Sequence, residues 1–318
     1  MHLVTPCRNA AGTISETIES VIAQAALSPI RYHVQDGLTT DGVQSILADY
    51  QERIRSDRAR YGHVLFSWAS EADTGMYDAI ARAVDGMDVP PDSFMGWINA
   101  DDLLCPGAVR AVQEIERNLP DVAWIGGPAL VMDMDGKVRA RGRLASQYPQ
   151  ALLAHGLCDG LHWKFLQQEG MFWRKRLWDA AGGLDPRFRL AGDWDLWRRM
   201  ARHAEYAQLP TPTGIFRKRQ GQLSAGHGYD EELDSILPKE KRRSALRRLL
   251  PDLPRMRTVN LKRNHDGALT RHMEPLRLGW KDLVRLFLAT FGLYRLLRRA
   301  LLCASASRSL FAGQSKLK

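Results

Sequence analysis

Asp36, Asp73, Asp101 and Asp102 each fall at or just after the end of a short apolar run, and the last two are adjacent. Neighbouring carboxylates repel, so a packed pair is costly unless a cation or a hydrogen-bond donor offsets the charge. Oxygen ligands suit Mg2+ or Mn2+, and Mg2+ is commonly held by one or two carboxylates together with substrate phosphates. The Asp101 and Asp102 pair therefore suits a metal that carries a diphosphate. A further acid, Asp193, opens a stretch of helical periodicity, where it is placed to cap the helix or to take a proton from a bound hydroxyl. Helix capping explains any one of these acids taken singly, but not four on one rim.

The elements that must position these acids are legible in the hydrophobic spacing. Residues 3–5 read as a strand, and Thr13 with Glu16 has the sequence of a capping box ahead of the apolar face Ile14, Ile18, Val21 and Ile22. A second strand over 30–35 stops at Asp36 and Gly37, and Val43, Ile46, Leu47 and Tyr50 mark a second helix. Residues 63–68, 76–84 and 93–98 give strand, helix and strand again, ending at Asn99, Ala100, Asp101 and Asp102. Such alternation predicts βα units feeding a mostly parallel sheet, with ligands beyond the carboxyl ends of its strands. Downstream, Pro106 opens a helix through Ile115. Residues 122–132 and 137–141 read as strands joined by a turn at 133–136, and a helix follows Gly192 as far as Met200.

Composition narrows the class. The chain has 318 residues, 45% apolar and 25% charged, close to soluble globular averages, which excludes disordered and fibrous classes. Cys7, Cys105, Cys158 and Cys303 lack the spacing of a zinc module or a disulfide framework, and the first residues lack a signal-peptide pattern. A cytoplasmic protein is expected. The net charge of +9 is concentrated from Lys239 onward, and such a field draws nucleic acid, anionic lipid or an anionic substrate. No recognised motif supports nucleic-acid binding. Residues 276–302 mix Leu and Phe with Arg at helical intervals, and the uncharged run 286–294 is too short to span a bilayer, which takes about 20 residues. A basic amphipathic helix of this kind lies on a membrane surface or packs on the catalytic domain or a dimer partner.

The segments TPCRNAAGTISETIESVIAQ, VQDGLTTDGVQSIL, SEADTGMYDAIARA and GWINADD, followed by QEGMFWRKRLWDAAGGLD, AGDWDLWRRMAR and FRKRQGQLS, resemble in order and spacing the motifs of glycosyltransferase family 2. The resemblance covers residues 1 to about 225. It implies a GT-A fold, an α/β architecture with a mostly parallel sheet and flanking helices, over residues 1–235, with a basic, amphipathic helical extension over 236–318. It also implies an inverting transferase that moves a sugar from a nucleotide-diphosphate sugar to a glycan or lipid-linked acceptor, with Mn2+ or Mg2+ as cofactor. Asp36 would then meet the base or ribose of the donor, with Thr5 and Pro6 in the adjoining loop and Asp73 lining the nucleotide pocket. Relatives often carry two acids where this chain has Asp36 and Gly37. Asp102 would bind the metal and Asp101 the ribose or the metal's water shell, while Asp193 would be the general base. Arg219 stands where many relatives have a metal-binding histidine, and its guanidinium suits donor phosphates instead; His227 is the nearby alternative ligand. Gln168, Glu169, Trp194 and Asp195 are expected on the acceptor side, with Asp195 either structural or an acceptor contact. Of the aromatics Trp163, Phe172, Trp173, Trp178, Trp194 and Trp197, at most one or two are expected to touch substrate. Lipid-linked acceptors, common in the family, favour the membrane reading of the tail. Two other classes compete: a GT-A domain that binds nucleotide-sugar without catalysis, and a basic nucleic-acid-binding protein. Retention of Asp101, Asp102 and Asp193 argues against the first. The absence of a QxxRW sequence and of spanning helices argues against processive synthesis.

Overall fold

The computed structural model describes residues 1–128, 130–133, 135–140, 147–219 and 228–293. His227 and the part of the amphipathic segment beyond 293 lie outside the described residues.

Strand β1 (His2–Cys7) is buried at every position, the pattern of a central parallel strand covered on both faces. It pairs in parallel with β2 (Ile30–Asp36), β2 pairs in parallel with β3 (Val64–Ser70), and the other edge of β1 takes β4 (Phe94–Trp97). Helices α1 (Ile14–Ile22), α2 (Val43–Ser56), α3 (Arg58–Tyr61) and α4 (Met76–Asp85) make the connections. The register sets Cys7 beside Asp36 and Asp36 beside Ser70. Three carboxyl ends therefore finish at one level and form a rim.

After β5 (Leu103–Leu104), α5 (Ala108–Asn118) begins later than expected, because Gly107 takes the N-cap with φ 82° and Pro106 precedes it. The single strand expected over 122–132 is two strands in different sheets, β6 (Trp124–Gly126) and β7 (Leu130–Met132). Gly127 marks the break: a Cβ there would run into the Thr211 carbonyl, so only glycine lets the two backbones pass. The chain continues through β8 (Val138–Ala140), α6 (Gln150–Ala154), β9 (Met171–Arg174), α7 (Lys175–Ala181), α8 (Gly192–Met200), β10 (Ala207–Gln208) and β11 (Gly214–Arg217).

Helix α9 (Gly228–Ile236) ends at the expected boundary near 235, and beyond it α10 (Lys239–Leu249) and α11 (Trp280–Thr290) are separated by β12 (Arg257–Arg263) and β13 (Leu269–Pro275), which form an antiparallel pair. β12 joins β10 in parallel. Part of the expected extension therefore completes the nine-stranded sheet, whose order is β13-β12-β10-β6-β9-β4-β1-β2-β3. Charged residues on both strands masked the alternation that would have revealed them. The smaller sheet has the order β5-β11-β7-β8. Trp97, Trp173 and Trp197 pack ring to ring in the main core, with centroids 5.2 to 5.7 Å apart.

Helix α1 is tied to the acidic loop by polar side chains on one face. The Thr13 hydroxyl donates to Ala100 O (2.8 Å), Thr17 to Asp102 O (2.8 Å), and Gln24 Nε2 to Cys105 O (3.1 Å), while Ser20 Oγ accepts from Leu104 N (3.1 Å). Thr13 makes no cap hydrogen bond, so the capping box read from sequence is replaced by a long-range anchor. Thr17 is fully buried. Thr17→Val keeps the shape but orphans the Asp102 carbonyl, and should cost about 1 to 3 kcal/mol of stability, measured by urea unfolding.

Candidate active site

A cleft of about 1000 Å3 opens over the rim. Its walls include Pro6, Asp73, Asp101, Gln168, Glu169, Asp193 and Arg219, so residues far apart in sequence converge on one space.

At the carboxyl end of β2 Asp36 is fully buried. Its Oδ2 accepts from Ser70 Oγ (2.7 Å), Thr39 N (3.2 Å) and Gln44 Nε2 (3.3 Å), whereas Oδ1 has no partner. One oxygen is thus fixed by its neighbours, while the other is buried and unpartnered at the strand end, and Asp36 itself does not line the cleft. A Cβ at Gly37 would overlap the Asp73 carboxylate. Asp73 thus fills the space beside the position where relatives carry a second acid, and its Oδ1 accepts from Gly75 N (2.8 Å).

The acidic wall is crowded. Asp102 is only 1% exposed; its Oδ1 accepts from Arg217 N (2.9 Å) and its Oδ2 from Asn99 Nδ2 (2.9 Å). Burial, and then the charges of Glu169 and Asp101, push its pKa well above the usual carboxylate range against those two hydrogen bonds. Asp101 is ion-paired with Arg219, and Arg217 donates to Asp101 O (2.8 Å) and to Glu16 Oε2 (2.6 Å). Asp101, Asp102 and Glu169 crowd one wall, with Arg217 and Arg219 offsetting part of the charge, and two adjacent carboxylates suit a divalent cation whose remaining ligands come from a diphosphate. Among the described residues, no three His, Cys, Asp or Glu side chains form a metal-holding group by themselves.

Asp193 also lines the cleft, from the first turn of α8. Its Oδ1 accepts from Trp194 N (2.8 Å) and Tyr77 OH (3.2 Å). Burial raises its pKa from 3.8 to about 6, against the pull of those hydrogen bonds, although the side chain remains partly open to the cleft. The loop before it is held by Glu232 of α9, whose carboxylate accepts from Arg189 N (2.8 Å), Leu190 N (2.7 Å) and Ala191 N (2.5 Å). Tyr77 OH also reaches Leu190 O (3.0 Å). A carboxylate with a pKa near neutrality, aimed into a cleft by fixed donors, is suited to accept a proton.

Some sequence expectations are corrected. Thr5 is buried behind the wall with its hydroxyl on Tyr32 OH (2.9 Å), and only Pro6 of that pair lines the cleft. Trp194 and Asp195 do not line it. One and two residues beyond Asp193 on a helix of about 3.6 residues per turn, they face other directions: Trp194 packs on Ala191 and Leu233, and Asp195 pairs with Arg198 (2.6 Å) and Arg199 (2.7 Å). None of the six aromatics singled out lines the cleft; Phe165, Phe216, Tyr77 and Tyr229 do. Gln168 lines it while donating to Trp97 O (2.7 Å). Sequence reasoning missed Tyr77 and Glu232. Tyr77 sits on an apolar helix face where it reads as core, and Glu232 lies in a segment whose partner is more than forty residues earlier.

A mostly parallel sheet with an acidic rim and a further acid in the same cleft matches the GT-A architecture. A family model described as glycosyl transferase family 2 matches residues 2–172, and the chain belongs to that family. Among solved structures, S. aureus TarS 1–349 in complex with UDP has a TM-score of 0.53 at 11% identity, covering 77% of this chain and 64% of that one. TarS 1–349 with UDP-GlcNAc gives 0.51 at 12% identity, covering 80% and 66%. Against a longer TarS structure the match covers 40% of that chain. At these identities the likeness establishes the fold. No curated protein matches the chain.

If Asp193 must be ionised to act, kcat/KM rises with pH through about 6. The linkage has the opposite sign for stability. Because the folded protein raises this pKa above 3.8, ionisation opposes folding, with no penalty below the unfolded value and the full penalty above about 6, at most about 3 kcal/mol. Asp193→Asn should therefore lose turnover by about 10² to 10⁴ while melting at or above the wild-type temperature near neutral pH, a gain that shrinks toward pH 4. Thermal melts across pH, beside steady-state rates, check both.

Proposed function

We propose that the protein transfers a hexosyl group, with inversion, from a nucleoside-diphosphate sugar to a hydroxyl of a glycan or lipid-linked acceptor in surface polysaccharide or glycolipid synthesis. The observation that carries this reading is that Asp193 lines one cleft together with Asp101 and Glu169, with Asp102 buried directly behind that wall. Asp36 and Asp73 hold the nucleoside end, through the unpartnered Oδ1 and the carboxylate over Gly37. Asp193 takes the proton of the acceptor hydroxyl as its oxygen attacks the anomeric carbon, and the bond to the diphosphate breaks on the opposite face. Arg219 and Lys218, both on the cleft wall, neutralise the departing phosphates. Asp101 and Asp102 would hold a Mg2+ or Mn2+, which when bound would supply further charge neutralisation to that leaving group. The TarS ligands make uridine-linked sugars the first donors to test.

UDP should bind more tightly with Mn2+ than with chelator, and Asp102→Asn should abolish that difference. Titration calorimetry decides it; equal affinity in both conditions would mean that the acidic wall does not hold a metal-diphosphate complex.

The family often acts on lipid-linked acceptors, and α11 carries the apolar residues for surface attachment. Trp280, Leu283, Val284, Phe287 and Phe291 are exposed along it, while Leu286 and Ala289 hold its inner face. No helix among the described residues is long and apolar enough to cross a membrane. Seating this ridge in an anionic leaflet gives a peripheral protein on the cytoplasmic face. Phe287→Glu with Phe291→Glu should abolish co-sedimentation with liposomes of phosphatidylcholine and phosphatidylglycerol without lowering UDP affinity, and unchanged sedimentation would rule this face out.

A further inference from the structure

Away from the donor cleft, a recess of about 390 Å3 opens between α6, α8 and α10. Its walls carry His155, Arg198, Arg202, Lys241 and Arg248, and no carboxylate lines it. Only Arg198 of these has an acidic partner in the described residues, through Nη2 to Asp195 Oδ1 (2.6 Å), and its Nε is buried without one. Arg248 is steadied by Nη1 on Ser244 Oγ (3.2 Å). Arg202 and Lys241 are exposed, and neither side chain has an ion-pair or hydrogen-bond partner among the described residues. Elsewhere the chain's arginines are commonly paired with acids, as Arg242, in the same turn as Lys241, is with Asp159 and Asp234.

Crowding cations around a concavity costs free energy unless an anion offsets them. Guanidinium groups present planar donor forks that match phosphate oxygens, and an ammonium adds a mobile charge. We infer that this recess is a phosphate-binding site, distinct from the diphosphate site, which takes the phosphate group of a free phosphorylated ligand or of a lipid headgroup. Its place adds a geometric consequence. Arg198 and Arg202 sit at the carboxyl end of α8, while Asp193 sits in its first turn, so a helix of about 1.5 Å rise per residue separates the two sites. The inference does not depend on the transferase reading, because the recess shares no residue with the cleft.

The test uses the full chain saturated with UDP, so that the cleft is blocked. Inorganic phosphate is titrated calorimetrically, and vesicles of phosphatidylcholine with and without phosphatidylglycerol are assayed by co-sedimentation. The double variant Arg202→Glu, Lys241→Glu should lose about tenfold or more in affinity for whichever probe the wild type binds, whereas Lys241→Arg should retain it and UDP affinity should be unchanged in both. Loss with inorganic phosphate identifies a free phosphate site, and loss with phosphatidylglycerol vesicles alone identifies a headgroup site. Wild-type protein that binds neither probe, or a double variant that binds both as the wild type does, overturns the inference. Failure of UDP to bind at all would instead count against the transferase reading.

Discussion

The position of the acidic loop depends on a row of polar side chains along α1. Thr13, Thr17, Ser20 and Gln24 recur at helical spacing, and each bonds the backbone between Ala100 and Cys105. A parallel sheet fixes where its strands end but not the path of the chain beyond them. Here the path is fixed because buried carbonyls demand donors and the neighbouring helix supplies them in register. The carboxylates of Asp101 and Asp102 inherit their directions from this backbone, and Arg217 closes the arrangement from β11 by bonding both residues.

That rigidity allows the charges to be placed in an unfavourable arrangement. Asp102 is nearly fully buried beside Asp101 and Glu169, and Asp193 lies in surroundings that disfavour its charge. Neither arrangement stabilises the fold; both persist because the scaffold over-determines them, as is usual where a site prepares for a charged ligand. Burial raises the pKa of both carboxyls, so a proton relieves either one, and a cation beside Asp101 and Asp102 would relieve the acidic wall as well.

Much of this was legible in the sequence, and the boundary of legibility is physical. The βα alternation through Trp97 and the acids at the strand ends followed from spacing alone, because local periodicity and strand-end position are local properties. Asp195 and Trp194 show the limit: proximity to Asp193 in sequence suggested the acceptor side, but the helical screw carries them into an ion-pair cluster and a packed interface. Glu232 and the β12–β13 pair were invisible for a second reason. Their partners, the amides of Arg189 to Ala191 and the edge of β10, lie tens of residues away, and no pattern within either segment announces such a pairing.

The order of the sheet also has a consequence for synthesis on the ribosome. β10 contributes only Ala207 and Gln208 and is flanked by β6 and β12, so it has a complete neighbourhood only once residue 263 has left the exit tunnel. The buried Val259 and Leu261 arrive with it. A nascent chain stopped short of that point carries a nearly complete catalytic half with an open strand edge, the kind of surface that recruits another chain. Completion of the sheet on that side therefore waits for residues that come some fifty positions after β10 itself.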